Sequence, residues 1–486
     1  MKKDVFIFTL FLVPFLVSAQ DKEALKTNAI KSLDTQFDAY KKIAHQIWDY
    51  SEVGYKEYKS AELLQSTLKN AGFSVIPNVA DIPTAFVATF GEGKPVIGIL
   101  AEFDALPGLG QAAEPEKKPI EGKAAGHACG HHLFGTASVA AAIELKNTML
   151  KNKMAGTIKL YGTPAEEGGS GKVYMVRAGL FNGVDVVLHW HPGDGNSSNP
   201  ASSLANISAK FRFRGIASHA AGAPDRGRSA LDGVEAMNNM VNMMREHIPQ
   251  ESRIHYVITD GGKAPNVVPD FAEVYYYVRN PRRDVVKELF ERIVKCANGA
   301  AMGTETKVEY EIIGGAFDLL PIKVLAQTMH ANLTKVGGVT YTPDELAFGQ
   351  KLQQSFISKI RPDLNNAAKI EPYKDESYRT GGGSTDVGDV SWAVPTVGLR
   401  TATWIPGTPA HSWQAVACGG KDMGIKGLMV AAKTLVLTGI DLLTDKTLIE
   451  KATQEFIKSR GADFKYEPLL GNRKPALNYR DSATSD

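Results

Sequence analysis

The chain of 486 residues has few cysteines, almost no net charge and no long apolar run after its first residues. Three cysteines cannot cross-link a chain of this length, so a disulfide-stapled fold is excluded. A formal net charge of +2 gives no overall field to attract nucleic acid or an anionic membrane. Hydrophobic residues at 43% and charged residues at 22% exclude a disordered chain. The length predicts a globular protein of two or three domains.

Residues 1–19 have the pattern of a secretory signal peptide. Lys2 and Lys3 precede an apolar run that ends at Val17, and Ala19 provides a small residue at the expected cleavage position. The run is shorter than the roughly 20 apolar residues that span a bilayer, and no later stretch is long and apolar enough to do so. We therefore expect an exported protein, periplasmic or secreted, with no membrane span.

Strand and helix signals predict an α/β fold with an inserted second domain. Short apolar runs alternate with helical patterns over residues 26–204 and again over 321–445, which is typical of a mostly parallel sheet covered by helices. Residues 205–320 instead show β-α-β-β-α-β order, the split motif of ferredoxin-like domains. We expect one discontinuous α/β domain, a ferredoxin-like α+β insertion, and a charged tail over 446–486.

Residues able to carry chemistry follow the predicted strands, at the sheet edge where open α/β folds bind ligands. The segment 126–132 contains one cysteine and three histidines. On an irregular turn relaxed by Gly130, Cys129 and His131 can point at one centre, and a thiolate with an imidazole suits zinc or a similar divalent metal. The alternative is a buried structural cysteine beside helix-capping histidines.

Three further groups could complete such a centre. Glu166 and Glu167 are adjacent carboxylates in a glycine-rich turn, and they repel each other. Either hydration by solvent or a bound cation can account for two such charges side by side. One of them could bind metal while the other takes a proton from the attacking water. His189 and His191 stand at another strand end, and His411 precedes the last long helix. Structural zinc sites use four close-set ligands, so the wide spacing favours a catalytic centre with two divalent ions.

At these residues the chain resembles the amidohydrolase branch of the zinc-dependent aminoacylase/carboxypeptidase superfamily. That branch includes hippurate hydrolase, auxin-conjugate hydrolases and the p-aminobenzoyl-glutamate hydrolase subunits. The likeness runs in order from about residue 26 to 445 and lies in motifs at residues 126–135, 190–192, 218–221, 265–269, 383–388 and 411–414. It implies hydrolysis of the amide bond of N-acyl amino acids, p-aminobenzoyl-glutamate among them, with two divalent ions, zinc or else manganese.

The resemblance also implies roles for individual residues. The implied metal ligands are Cys129, His131, Glu167, His191 and His411, with Glu166 as the general base. The inserted domain would serve as lid and dimerisation domain in a homodimer or a hetero-oligomer. Its His219 would reach the substrate or the oxyanion, often in the partner subunit's active site, and Asn266 and Arg279 would bind the product's carboxylate. An arginine is a natural bidentate partner for a carboxylate, although a solvated strand-end arginine is the plain alternative.

Three parts of the sequence differ from the family's usual motifs or choose between their variants. Typical branch members have His-x-x-Pro at the fourth cluster, which favours His189, whereas the Trp-His-Pro pattern of one group of p-aminobenzoyl-glutamate hydrolase subunits favours His191, which we adopt. His132 stands where an aspartate commonly follows Cys-Gly-His. Asp104 lies where the wider superfamily has a His-x-Asp ligand pair, and we leave it out of the metal set.

Two rival functions fit part of the sequence. A dipeptidase or carboxypeptidase of the same superfamily would differ in whether the substrate needs a free amino terminus. A non-catalytic exported protein that binds peptides or folate fragments would keep the lid without the chemistry. The complete set of Glu166, Glu167, Cys129 and His411 argues against that second alternative.

Overall fold

The computed structural model describes residues 19–375 and 382–481, so the predicted signal peptide lies outside the described residues except for Ala19. The helices are α1 (Ala19–Thr35), α2 (Phe37–Tyr50), α3 (Tyr58–Asn70), α4 (His131–Lys151), α5 (Gly171–Arg177), α6 (Ala230–Met244), α7 (Arg283–Gly303), α8 (Lys323–Val336), α9 (Pro343–Gln353), α10 (Val387–Ala393), α11 (Trp413–Gly419), α12 (Asp422–Thr444) and α13 (Lys446–Arg460). The strands are β1 (Ser74–Pro77), β2 (Phe86–Glu92), β3 (Val96–Ala101), β4 (Leu106–Pro107), β5 (Ala125–Gly126), β6 (Gly156–Gly162), β7 (Val186–Gly193), β8 (Ala205–Arg214), β9 (Arg253–Asp260), β10 (Phe271–Asn280), β11 (Lys307–Ala316) and β12 (Thr396–Ala402).

A six-stranded sheet in the order β1-β2-β6-β3-β7-β12 forms the larger layer. Strands β6, β3, β7 and β12 run parallel to one another, whereas β2 is antiparallel to both β6 and β1. The parallel strands are apolar and almost wholly buried, as expected for a sheet with helices packed against it. The predicted α/β class with a mostly parallel sheet is confirmed.

A second, four-stranded sheet in the order β11-β8-β10-β9 is antiparallel throughout. Helices α6 and α7 pack on it and enclose a separate core that includes Phe211, Phe213 and Ile293. The chain visits these elements in the order β-α-β-β-α-β, so the predicted ferredoxin-like α+β arrangement is confirmed. The strands of this sheet run between Ala205 and Ala316.

Two predicted element boundaries are wrong. The helical pattern that follows His411, from about Ala415 to Leu437, predicts one long helix, but the chain forms two because it turns at Gly420 and Lys421 between α11 and α12. The short apolar run from Val184 to Leu188 predicts a strand that ends before the two histidines, but β7 continues to Gly193, since residues 189–192 keep pairing with β12. His189 and His191 therefore lie on one face of a strand rather than after its end.

Helix α12 is the one helix in the described ranges that is long and apolar enough to span a bilayer, contrary to the expectation of no such stretch after the leader. Its most apolar 18-residue window is 83% buried inside the protein. It packs against α1, α4 and α8 and against strand β12. The apolar surface of α12 is therefore used within the core of the larger layer.

The segment after residue 445 is a built part of the fold rather than a featureless tail. Helix α13 packs against α8, and the chain from 461 to 481 then runs along the junction of the two layers. Leu469 contacts both hydrophobic cores, and Leu470 is buried. Arg473 donates hydrogen bonds to the carbonyls of Ile312 and Ile313 on β11. This segment connects the second sheet to the larger layer.

Candidate metal centre and active site

The five predicted metal ligands come together around Cys129. The ligand atoms of Cys129, His131 and His191 lie within 4.8 Å of one another, and so do those of Cys129, Glu167 and His411. The Cys129 Sγ and His191 Nε2 atoms are 3.4 Å apart, and His411 Nε2 is 3.1 Å from a Glu167 carboxylate oxygen. Two three-ligand groups that share one thiol are suited to two adjacent divalent ions.

Glycine and strained backbone bring these residues close together. Gly130 has φ +77° just before α4, and a Cβ there would lie 2.7 Å from the Pro192 side chain, so only glycine fits between the two ligand-bearing segments. His411 has φ +57°, a left-handed conformation that is uncommon for residues other than glycine. Its backbone N–H donates to the Ala128 carbonyl at 3.0 Å, which ties it to the Cys129 turn. Strain of this kind is concentrated at functional sites.

Asp104 supports the centre without belonging to either group. One Asp104 oxygen accepts a hydrogen bond from His131 Nδ1 at 2.9 Å, and the other accepts from the Glu167 backbone N–H at 2.9 Å. A carboxylate that holds Nδ1–H leaves Nε2 of His131 free to bind a metal, which is the usual outer-shell arrangement for histidine ligands. Asp104 thus orients one proposed ligand and the turn that carries another.

Glu166 lies next to the ligands. Its carboxylate belongs to a third set of potential ligand atoms, those of Glu102, His131 and Glu166, which lie within 4.8 Å of one another. Burial, together with the negative charges of Glu102 and Glu167, raises the pKa of the Glu166 carboxyl well above its usual range. A carboxylate with a raised pKa beside a reaction centre accepts and returns a proton readily.

His189 and His191 occupy different positions although both side chains project from one face of β7. The His191 ring is beside Cys129, and burial together with the Arg400 guanidinium lowers its pKa well below the usual range. The His189 ring lies over Gly398, where a Cβ would come within 2.3 Å of the imidazole, and burial lowers its pKa to about 3. His189 lines the cavity but belongs to none of the candidate metal groups of the described residues.

The donor set fits a pair of divalent ions. Three buried atoms here make no well-oriented hydrogen bond in the described chain, His131 Nε2, Glu102 Oε2 and Glu167 Oε1. They instead face other potential ligand atoms: His131 Nε2 lies 3.1 Å from Glu102 Oε2, and Glu167 Oε1 lies 3.1 Å from His411 Nε2. Burial raises the pKa of the Cys129 thiol, so a thiolate at this position requires a cation beside it. His127 and His132, by contrast, donate Nε2–H to the carbonyls of Ile47 and Gly419 and are core histidines.

A cavity of about 720 Å³ opens over this centre between the two layers. Arg279 on β10 lines it, donates to the Ser384 hydroxyl at 3.4 Å and has a buried Nε without a partner among the described residues. His219 and Asn266 are exposed and lie outside the cavity lining. Backbone N–H groups of Ala221 and Gly222 donate to His219 Nδ1, so Nε2 is the ring nitrogen left to carry the proton and to donate. Within one chain the structure brings Arg279 to the centre, but not His219 or Asn266.

A buried ion array beside the centre was missed from the sequence. The Lys172 ammonium lies 2.7 Å from Glu102 and 2.7 Å from Asp386, and all three side chains are almost completely buried. The Lys172 backbone N–H also donates to Asp386 at 2.9 Å. A lysine three residues after a Gly-Gly pair gives little sequence signal, because lysine is ordinarily solvated.

The segment after α13 also reaches the centre, which the sequence did not indicate. The Tyr479 hydroxyl donates to the Glu167 carbonyl at 3.0 Å, and the Arg480 guanidinium donates to the same carbonyl. Tyr55 packs edge-on against the Tyr479 ring and donates to the Gly169 carbonyl at 2.6 Å. The Glu166–Glu167 turn is therefore held by side chains from both ends of the described chain.

The chain is similar to known proteins over most of its length. Residues 205–305 match the family model described as a peptidase dimerisation domain. The chain is 41% identical over 448 residues to a p-aminobenzoyl-glutamate hydrolase subunit of Escherichia coli (strain K12), covering 87% of this chain and 93% of that protein. It is 28% identical over 459 residues to a Xaa-Arg dipeptidase of Mus musculus, covering 91% and 94%.

Solved structures share the fold. A dinuclear metal-binding peptidase of the M20 family from Bacillus subtilis superimposes with a TM-score of 0.55 at 16% identity, covering 87% of this chain and 99% of that one. The parallel sheet, the antiparallel insertion and the 41% identical relative together define the class. The chain belongs to the amidohydrolase branch of the M20 family of metal-dependent peptidases and hydrolases. It is a hydrolase that acts on amide bonds.

Proposed function

We propose that the protein hydrolyses the amide bond of N-acyl amino acids, with p-aminobenzoyl-glutamate as the leading substrate. The observation that carries the proposal is the set of donors around Cys129, with Glu166 beside them in the lining of the cavity. The 41% identical relative is named for hydrolysis of that compound. Two ions, zinc or manganese, would be held by Cys129, His131 and His191 and by Cys129, Glu167 and His411.

Two divalent ions bound here would lower the pKa of water and polarise the amide carbonyl. The protein's own groups would then move the proton. Glu166 takes it from the attacking water and delivers it to the leaving nitrogen, so that the carboxylate is restored at the end of each cycle. Asp104 holds the His131 ring during these steps, and Arg279 anchors the substrate's carboxylate.

We further propose that the enzyme works as a homodimer and is exported. His219 is outside the cavity of its own chain, so His219 of the partner subunit would supply the oxyanion donor. Removing one such donor typically lowers kcat about 100- to 1,000-fold. The proposal of export rests on residues 1–19, which have the pattern of a signal peptide. The destination would be the periplasm or the extracellular space.

A dipeptidase of the same family is the second candidate, since a Xaa-Arg dipeptidase is 28% identical over most of the chain. A cavity for a dipeptide would need an acidic group, which would bind the free amino terminus of the dipeptide or its cationic side chain. Arg279, Arg400 and Arg480 line this cavity. Its acidic lining is Glu102, Glu166, Glu167 and Asp386, and Lys172 forms ion pairs with two of these, Glu102 and Asp386, and offsets one of their two negative charges. The charge distribution favours an anionic substrate.

The deciding experiment compares Glu166→Gln with the unmodified enzyme on p-aminobenzoyl-glutamate, hippurate and dipeptides. We expect normal metal content by elemental analysis and loss of turnover by at least about 1,000-fold, because the amide cannot accept the proton. A Glu166→Gln enzyme with full activity would overturn the assignment of the base. Hydrolysis of dipeptides alone by the unmodified enzyme would favour the second candidate.

Cys129→Ser serves as the matched variant, because it changes a ligand rather than the base. A hydroxyl is a poor substitute for a thiolate, so this variant should lose metal together with activity. Unchanged metal stoichiometry in Cys129→Ser would contradict the role of Cys129 as the shared ligand.

A further inference from the structure

Arg400 lines the cavity without any use in the chemistry described above. It lies on β12 directly opposite His191 of β7 in the parallel register, so its side chain projects from the same face of the sheet. Its neighbour along the strand, Gly398, is covered by the His189 ring. Arg400 therefore stands at the edge of the metal centre, one strand away from a proposed ligand.

The side chain of Arg400 is exposed and lines the cavity, and it has no anionic partner in the part of the chain that the structure describes. None of the acidic side chains in residues 19–375 and 382–481 lies within 4.0 Å of it, and none of the hydrogen bonds among those residues involves its side chain. A cation beside a centre built for divalent ions is repelled by them. The position of Arg400 becomes favourable when an anion lies between its guanidinium and the metal ions.

The other two arginines of the cavity differ from Arg400. Arg480 donates to the Glu167 carbonyl and stacks on the Tyr479 ring, so it is engaged within the protein. Arg279 lies on the opposite wall, on β10 of the antiparallel sheet, and is proposed to take the carboxylate that every N-acyl amino acid carries. Arg400, on the wall formed by the parallel sheet, remains for a second anionic group.

We propose that Arg400 forms a second carboxylate-binding subsite, which selects N-acyl amino acids whose side chain carries a carboxylate. This inference rests on the proposed function and deepens it by assigning the side-chain preference to one residue. Guanidinium and carboxylate form paired, parallel hydrogen bonds, and this geometry separates a carboxylate from the isosteric amide. A cationic amino-acid side chain would be repelled at the same position.

The test compares p-aminobenzoyl-glutamate with p-aminobenzoyl-glutamine, which differ only in the side-chain carboxylate. We expect the unmodified enzyme to prefer the glutamate compound in kcat/KM by about 10- to 100-fold, the range for a hydrogen-bonded charged pair. Arg400→Met should abolish this preference through a higher KM for the glutamate compound, with the glutamine compound almost unaffected. Arg400→Lys should recover part of the preference, because it restores the charge without the paired geometry.

Arg361→Met is the matched control. Arg361 is an exposed arginine outside the cavity that stacks on Phe356 and donates to its carbonyl, and its loss should leave the preference unchanged. An Arg400→Met enzyme that loses activity equally on both compounds, or on neither, would overturn the subsite.

Binding to the Glu166→Gln protein separates this proposal from the proposed function. Calorimetric titration of both compounds into metal-loaded Glu166→Gln, with and without Arg400→Met, measures the subsite without turnover. If the unmodified enzyme hydrolyses neither compound but Arg400 still governs binding of the glutamate compound, the function fails and the subsite stands. If both compounds are hydrolysed and bound equally well, the function stands and the subsite fails.

Discussion

At the scale of single residues, Lys172 shows how charge is managed beside the metal centre. A lysine is rarely buried without partners, and here Glu102 and Asp386 each lie 2.7 Å from its ammonium. Those two carboxylates line the cavity as well. The lysine thus compensates acidic groups that would otherwise add to the negative charge around Glu166.

Lys172→Met should destabilise the folded protein by about 3–5 kcal/mol, because it leaves two buried carboxylates without their cation. Urea unfolding followed by circular dichroism measures the change. Lys94→Met is the control, since the Lys94–Asp185 pair is largely exposed at Lys94 and should contribute about 0–1 kcal/mol. Equal losses of unfolding free energy in the two variants would show that the buried ion array stabilises the protein no more than the exposed ion pair does.

The ligand residues could be predicted from the sequence because their types are unusual and they occur near strand ends. Cys129, His131, Glu167, His191 and His411 are brought together in the fold, as the family resemblance implied. Their individual roles remain predictions. Lys172 and Tyr479 could not be predicted, since their importance comes from partners more than 50 residues away in the chain.

At the scale of elements, α10 connects β11 to the segment after α13 through one carboxyl group. Asp389 accepts a hydrogen bond from the Phe317 backbone N–H at 2.9 Å and from the Tyr466 hydroxyl at 2.7 Å. Burial raises the pKa of Asp389 from 3.8 to about 7. The helix is therefore fixed by a group that changes protonation state near neutral pH.

The stability of this junction should depend on pH. Between about pH 4 and pH 7 the folded protein holds a proton on Asp389 that the unfolded chain has lost, so this group's contribution falls as the pH rises. Above pH 7 both states are ionised and the contribution is constant. Asp389→Asn should flatten this part of the profile, measured as the free energy of unfolding in urea at pH 5 and pH 8. Identical profiles for the variant and the unmodified protein would contradict the assignment.

Most elements could be predicted from the sequence, and the differences have physical causes. The runs around Ile97 and Ile158 are buried strands because parallel strands covered by helices are apolar throughout. The break at Gly420 is marked in the sequence by the Gly419–Gly420 pair followed by Lys421 and Asp422, but the long apolar, helical patterns before and after this short turn signal predict one continuous helix. Helix α13 was missed because its exposed face is strongly charged and only Leu448, Ala452 and Phe456 are buried.

At the scale of the whole molecule, one residue of the proposed mechanism, His219, is missing from the cavity of its own chain. His219 lies outside the cavity of its own chain, on the layer that matches a peptidase dimerisation domain. A closed two-fold dimer would exchange this residue between equivalent sites. The proposed mechanism therefore predicts that two inactive chains can form one active site.

A mixture of His219→Ala and Glu166→Gln chains tests this prediction. Each variant alone should be inactive, whereas a mixed dimer contains one site with an intact Glu166 and an intact partner histidine. Equal co-expression with random pairing should restore about a quarter of the unmodified activity. Differently tagged chains allow the mixed dimer to be isolated and assayed. No recovery in the isolated mixed dimer would contradict exchange of His219.

The contacts of Tyr479 and Arg480 with the Glu167 carbonyl have a consequence for the time course of biosynthesis. They join positions 312 and 313 residues apart. A ribosome that has completed the whole α/β layer and the insertion has still not supplied the two donors that hold the Glu166–Glu167 turn. The turn therefore receives these two contacts only when residue 480 has emerged and folded back onto a segment made more than 300 codons earlier.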